Sequence, residues 1–133
     1  MKVSVYGTLR ELLGERRAAI LKAEFTDYKS GKGLPSTFGR DFPYTHSHDS
    51  RYVELQHVHY NPKGFPLRLA PIRRTSGQVI VYCPGFYDKD TFLIISIVKH
   101  WDPRRPDEIK GTDRDRDVMI SLEKIAERFR NKF

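Results

Sequence analysis

The chain has 133 residues, 38% of them apolar and 12% aromatic, a formal net charge of +7 and one cysteine. That is enough apolar chain for a single domain over residues 1–133 with its own core, and no Ser/Gly/Pro linker divides it. No apolar run reaches the roughly 18 residues of a membrane span, MKVSVYGTLR lacks the apolar block of a secretory signal, and a lone cysteine excludes an internal disulfide, so we expect a cytoplasmic protein without a membrane partner.

Met1–Tyr6 alternates Val3 and Val5 with polar residues and predicts a short strand, extending as far as Leu9. From Glu15, Ala18, Leu21, Phe25 and Tyr28 recur at helical spacing until Gly31 and Gly33 end the run. Gly33–Ser50, punctuated by Gly, Pro and Asp, reads as a long functional loop with at most a turn of helix. Tyr52–Asn61 reads as a strand with Val53, Leu55, His57 and His59 on one face and Glu54, Gln56, Val58 and Tyr60 on the other. A second loop, carrying Pro62, Pro66 and Pro71, closes on Arg73 and Arg74.

Gln78–His100 predicts the central hairpin: VIVYC and TFLIISIV are β-branched and aromatic runs, and Pro84, Gly85 and Asp88–Asp90 form the turn. Strict alternation puts Phe92, Ile94, Ser96 and Val98 on one face and Leu93, Ile95 and Ile97 on the other, so both faces need cover. Cys83 reads as a small buried hydrophobe. The second strand runs out into Lys99, His100 and Trp101, and the stretch to Asp117 is polar and solvated. Val118, Leu122, Ile125 and Phe129 then form the stripe of a C-terminal helix. The expected fold class is α+β, a central antiparallel sheet with an N-terminal and a C-terminal helix.

The positive charge is uneven. Residues 1–40 hold eight Lys/Arg against four Asp/Glu and residues 51–75 five against one, whereas residues 76–120 hold seven against eight. A neutral scaffold with basic flanks suits a polyanionic partner such as RNA or DNA; the plainer reading is solubility.

Several motifs occur in one order: Phe25-x-x-Tyr28-Lys29, Gly33-Leu34-Pro35-x-x-Phe38-Gly39-Arg40-Asp41, His57-x-His59, Arg74-Thr75, Val81-Tyr82-Cys83-x-Gly85, Lys99, Ile125 and Phe129-Arg130-x-x-Phe133. By these residues the stretch from Phe25 to Phe133 resembles the YafO-type toxins of bacterial type II toxin–antitoxin pairs, which are ribosome-dependent mRNA endonucleases. Residues 1–24 match in layout only, and His46-Ser47-His48 and the Asp-rich residues 113–117 stand outside the shared pattern. The resemblance implies a RelE-like RNase toxin architecture. It also implies mRNA and ribosomal RNA as partners and a cognate antitoxin, which should be acidic where it binds, and no cofactor.

Metal-free cleavage of RNA needs a base for the 2′-hydroxyl, cations for the charge on the transition state and an acid for the 5′-oxygen. His57 and His59 suit base and acid. Asp41 can orient a histidine or an arginine, and Glu54 is a reserve base on the opposite face of its strand. Arg40, Arg73, Arg74, Lys99 and His100 are candidates to hold phosphate, Arg by bidentate contact. Tyr44, Tyr60 or Trp101 can stack on a base. Duller readings stand beside these: a polar sheet face for the histidines, a loop-locking ion pair for Arg40–Asp41, a loop tip for Arg73–Arg74 and a snorkelling strand end for Lys99. A non-catalytic RNA- or ribosome-binding module is the competing function. A metal-dependent hydrolase using His46, His48, His57 and His59 as a zinc site is a third.

Overall fold

The computed structural model describes residues 1–133, which fold as β1 (Lys2–Val5), α1 (Gly7–Leu13), α2 (Glu15–Lys29), β2 (Phe38–Pro43), α3 (His48–Tyr52), β3 (Gln56–Tyr60), β4 (Gln78–Pro84), β5 (Thr91–Lys99) and α4 (Arg116–Arg130). The strands form one sheet in the order β1-β5-β4-β3-β2. From β2 to β5 every pairing is antiparallel, while β1 joins the edge of β5 in parallel, so the sheet is mixed.

As its apolar runs require, the β4–β5 hairpin is covered on both faces. On one face Val79, Val81, Cys83, Leu93 and Ile95 pack under Met119, Leu122 and Ala126 of α4. On the other, Ile80, Tyr82 and Ile94 join Val3 and Val5 beneath Leu9, Leu21 and Phe25 of α1 and α2. Phe25 is fully buried, its ring centroid 4.9 Å from that of Tyr82 and 5.7 Å from that of Phe92. Burying a side chain of this kind stabilises the fold by roughly 1.5–3 kcal/mol. Cys83 lies in the first of these layers, and burial pushes its thiol up to about 12, so it behaves as an inert hydrophobe.

Local pattern misjudged five places. The first strand does not reach Leu9, which is a buried residue of α1, because Gly7 opens a helix that folds back on the sheet. Gly33–Ser50 is not a plain loop: β2 forms there despite Gly39, Asp41 and Pro43, which are poor strand residues tolerated at a sheet edge. Gly39 is required, since a Cβ on it would stand 2.2 Å from the Arg74 carbonyl oxygen, which also accepts a 3.0 Å bond from Arg40 N–H. Tyr52 and Val53 end α3 rather than begin a strand; Ser47 caps that helix by accepting from Ser50 N–H. On β5 the register slips between Val81↔Ser96 and Tyr82↔Ile94, so one extra residue bulges out. Past that bulge the faces exchange, and Val98 packs with Leu93 and Ile95 while Ile97 packs with Phe92 and Ile94. Finally, Thr112 and Asp113 are buried within the stretch expected to be solvated, tied to the end of β5 by an Asp113 N–H bond of 2.9 Å to the Lys99 carbonyl.

Candidate functional site

Strand β3 alternates as its sequence predicts: Val58 enters the α2-side core, and His57 and His59 point to the α4 side, beside Val81 and Val79 of β4. This end of the sheet lies beyond the cover of α4, so the imidazoles face a groove instead of a helix. His100, immediately after β5, swings into the same place. Its ring centroid is 4.7 Å from that of His59 and 5.9 Å from that of His57, and one ring nitrogen from each of the three lies within 4.8 Å of the others.

Different neighbours hold each ring. His57 is stacked on Tyr44, centroids 4.1 Å apart at 19°, and its buried Nδ1 has no hydrogen-bond partner. Burial drives its pKa down to about 4; Asp113 opposes the shift, and His100 and His59 add to it. His59 is also lowered, by burial first and then by His100, against the opposing contact with Ser76. Ser76 N–H stands 2.9 Å and Ser76 O 3.1 Å from the His59 Nδ1. The first donates to the ring when Nδ1 is bare, and the second accepts when it carries a proton. His100 Nε2 lies 3.8 Å from the Asp113 carboxylate, which is 5% exposed. That carboxylate accepts from Tyr44 OH at 3.0 Å and Trp101 N–H at 2.8 Å. Tyr44 is consequently raised well above the ordinary phenol range, by burial first and then by Asp113.

An open groove of about 760 Å³ runs over the imidazoles, walled by Arg40, Phe42, Trp101 and Arg104. Arg40 is exposed, its guanidinium 4.3 Å from the centre of the Phe42 ring, so a planar cation stands preformed at the rim. One face of Trp101 is capped by the Arg114 guanidinium at 4.0 Å.

Of the residues singled out from sequence, His57, His59, His100, Arg40 and Trp101 come together here. The others do not. Asp41 lies on the α2 side, where it accepts from Tyr28 OH at 2.6 Å and Tyr82 OH at 2.7 Å and pairs with Lys29 at 3.3 Å. It therefore locks α2 to the sheet and makes no ion pair with Arg40. Glu54, in a left-handed backbone conformation at φ 52°, bonds Lys89 and pairs with Arg130 at 2.7 Å. Burial acts to raise its pKa, but bonds from Lys89 and Arg130 outweigh this and hold it low. Arg74 is buried, donating to the carbonyls of Leu69 at 3.0 Å and Phe38 at 3.4 Å, so its guanidinium pins a loop rather than standing free for phosphate. Arg73 is exposed on a 3₁₀ turn, Pro71–Arg73. Lys99 borders a neighbouring depression with Tyr60 and Ile97, the faces having exchanged at the β5 bulge. Tyr44 is buried against His57 and has no free face for a base, and Tyr60 packs with Phe38 at 6.1 Å in the α2-side layer.

The four-histidine grouping does not form as read: His46 stands against Tyr44 near His57, but His48 is on exposed α3 against Tyr52. Sequence reasoning missed Asp113, which nothing in the repeated Asp residues of 113–117 distinguishes, and Ser76, whose role is carried by its backbone. For His100, the signal was its place at the end of the central strand.

Comparison with known proteins gives a consistent result. A family profile described as "Toxin YafO, type II toxin-antitoxin system" matches residues 26–131. The chain is similar to the mRNA interferase toxin YafO of Escherichia coli (strain K12), 33% identical over 141 aligned residues that cover 100% of both chains. No solved structure matches it.

Proposed function

The chain belongs to the YafO toxins of type II toxin–antitoxin systems, and from that premise we propose that it is an endoribonuclease, an mRNA interferase that cuts mRNA on the ribosome and so inhibits translation. The observation carrying this reading is the convergence of the His57, His59 and His100 imidazoles beside the exposed Arg40 in a groove open to a polymer. His57, neutral over the physiological range because its pKa is lowered to about 4, takes the proton from the 2′-hydroxyl. The oxygen attacks the adjacent phosphorus, and the 5′-oxygen leaves with a proton from His59. That residue suits the donor role because Ser76 meets its Nδ1 with a donor in one protonation state and an acceptor in the other. Arg40 and His100 hold the phosphate oxygens, and the free face of Trp101 stacks on a base.

An incoming phosphodiester raises both histidine pKa values, because its negative charge favours imidazolium. His57 and His59, lowered chiefly by burial and further by neighbouring imidazoles when the groove is empty, therefore recover acid–base capacity when RNA arrives. The remaining surface cations dock on ribosomal RNA, which accounts for a charge of +7 beyond the needs of one phosphate. The cognate antitoxin carries an acidic segment that covers the groove. In this reading the β2–β5 meander with its helices is a variant of the RelE-like RNase toxin architecture, with β1 added in parallel.

Primer extension on ribosomes stalled with a defined message tests the proposal, using wild-type protein, a His57→Ala/His59→Ala double variant, and, as a separate arm, wild-type protein stripped of transition metals and assayed at constant free magnesium. New 5′ ends that persist with the stripped protein and vanish in the variant support it. Bound ribosomes with no new ends would leave a non-catalytic binding module in its place.

A further inference from the structure

We propose that His57, His59 and His100 also form a binding site for a late first-row divalent metal, zinc being the cation it fits best, and that the bound metal shuts the cleavage site. Three imidazoles are the donor set such ions prefer. In a tetrahedral site with metal–nitrogen bonds of about 2.0–2.1 Å the nitrogens lie about 3.3 Å apart. Here they lie within 4.8 Å of one another, so metal binding would draw the three rings closer together.

The surroundings complete the case. His57 Nδ1 is a buried nitrogen with no partner, a lone pair or N–H that no protein group satisfies. His59 has its Nδ1 beside the Ser76 carbonyl at 3.1 Å, the contact that turns a ring's other nitrogen toward a metal. Asp113, 3.8 Å from His100 Nε2 and fixed by Tyr44 and Trp101, stands where a carboxylate supports a ligating imidazole. The fourth position opens on the groove, where Arg40 favours an anionic ligand such as hydroxide or phosphate. The site is distinct from a four-histidine site with His46 and His48, because His48 lies on α3 away from the trio.

The consequence for catalysis rests on the function proposed above. A nitrogen lone pair bound to metal can neither accept the 2′-hydroxyl proton nor return one to the leaving group. Zinc therefore acts here as an inhibitor, and its removal restores cleavage.

Cobalt(II) titration of the metal-free protein tests the site, read by the visible d–d absorption of a tetrahedral centre and by displacement with zinc. We expect saturation at one equivalent, unchanged affinity in His48→Gln, about tenfold weaker binding in Asp113→Asn, and at least about 100-fold weaker binding in His100→Gln. Circular dichroism accompanies each variant, and His57→Gln supplies the same readout should His100→Gln lose its native spectrum. The absence of a tetrahedral band, or natively folded His100→Gln binding cobalt as the wild type does, would overturn the site. A second arm adds zinc to the ribosome cleavage assay. Cleavage falling in step with occupancy and returning with a chelator supports inhibition. Stoichiometric binding with cleavage undiminished keeps the metal site but removes the trio from the reaction centre, so the two proposals fail separately.

Discussion

His57 illustrates how one residue can serve stability and chemistry in opposite ways. Its ring is stacked on Tyr44 and half-buried, and charging it there is unfavourable, which is why its pKa falls to about 4 from an ordinary value near 6.5. The unfolded chain binds this proton more readily than the folded one between those two values. Stability is therefore complete above about pH 6.5 and declines as pH falls toward 4, by on the order of 2 kcal/mol from this group. Urea midpoints across that range should show the decline in wild type and a smaller one in His57→Phe, which keeps the stack on Tyr44. An equal decline in both proteins would place the sensitivity elsewhere. For catalysis, His57→Ala and His59→Ala should each lower the single-turnover rate of message cleavage by about 10²–10⁴. Binding to ribosomes should change little, since neither ring supplies a fixed charge at neutral pH.

Among the elements, the connection between β3 and β4 matters more than its lack of regular structure suggests. Arg74 donates to Leu69 and Phe38, and its own carbonyl bonds Arg40, so this loop presses on the outer edge of β2 and sets where Arg40 leaves the strand. Gly39 is the point of closest approach. Gly39→Ala should cost roughly 1–3 kcal/mol by overpacking, as the Arg74 backbone must retreat. Its cleavage rate should also fall, through displaced Arg40, and chemical denaturation with single-turnover assays checks both effects. Unchanged stability would mean that the loop yields freely. On the opposite face α4 presents Met119, Leu122 and Ala126 most deeply; of the expected stripe only Leu122 lies in that contact, and Val118, Ile125 and Phe129 border it. The larger residues flank a narrow seam that Ala126 allows the helix to close.

Across the whole molecule, the hairpin divides two apolar layers, and the groove opens where the α4 layer ends. Function at that opening is a matter of charge as well as chemistry. If Arg40 holds a phosphate, log affinity for single-stranded RNA should depend on log salt with a slope reduced by about 0.7 in Arg40→Gln. Arg74→Gln should instead destabilise the fold, because its guanidinium is buried on carbonyl oxygens. Affinity measured at several salt concentrations, with thermal melts of each variant, separates the two arginines. Equal slopes for Arg40→Gln and wild type would remove Arg40 from the RNA contact.

By itself the sequence determined the α+β class, the β4–β5 hairpin with both faces covered, the helix nature of Glu15–Lys29 and the C-terminus, and the shared face of His57 and His59. Each rests on a period of two or 3.6 that short-range sterics impose. The family, too, was legible, because its motifs are strings of neighbouring residues. Tertiary structure alone decided which side of the sheet each polar residue serves and what it meets there. One extra residue in β5 exchanged the faces of Ile97 and Val98 and left Lys99 beside Tyr60 rather than beside the histidines. Asp41 follows Arg40 directly yet lies under α2, because successive side chains of a strand point apart. His100 and Asp113 entered the site through contacts between segments distant in sequence, and no periodicity records where such segments come to rest.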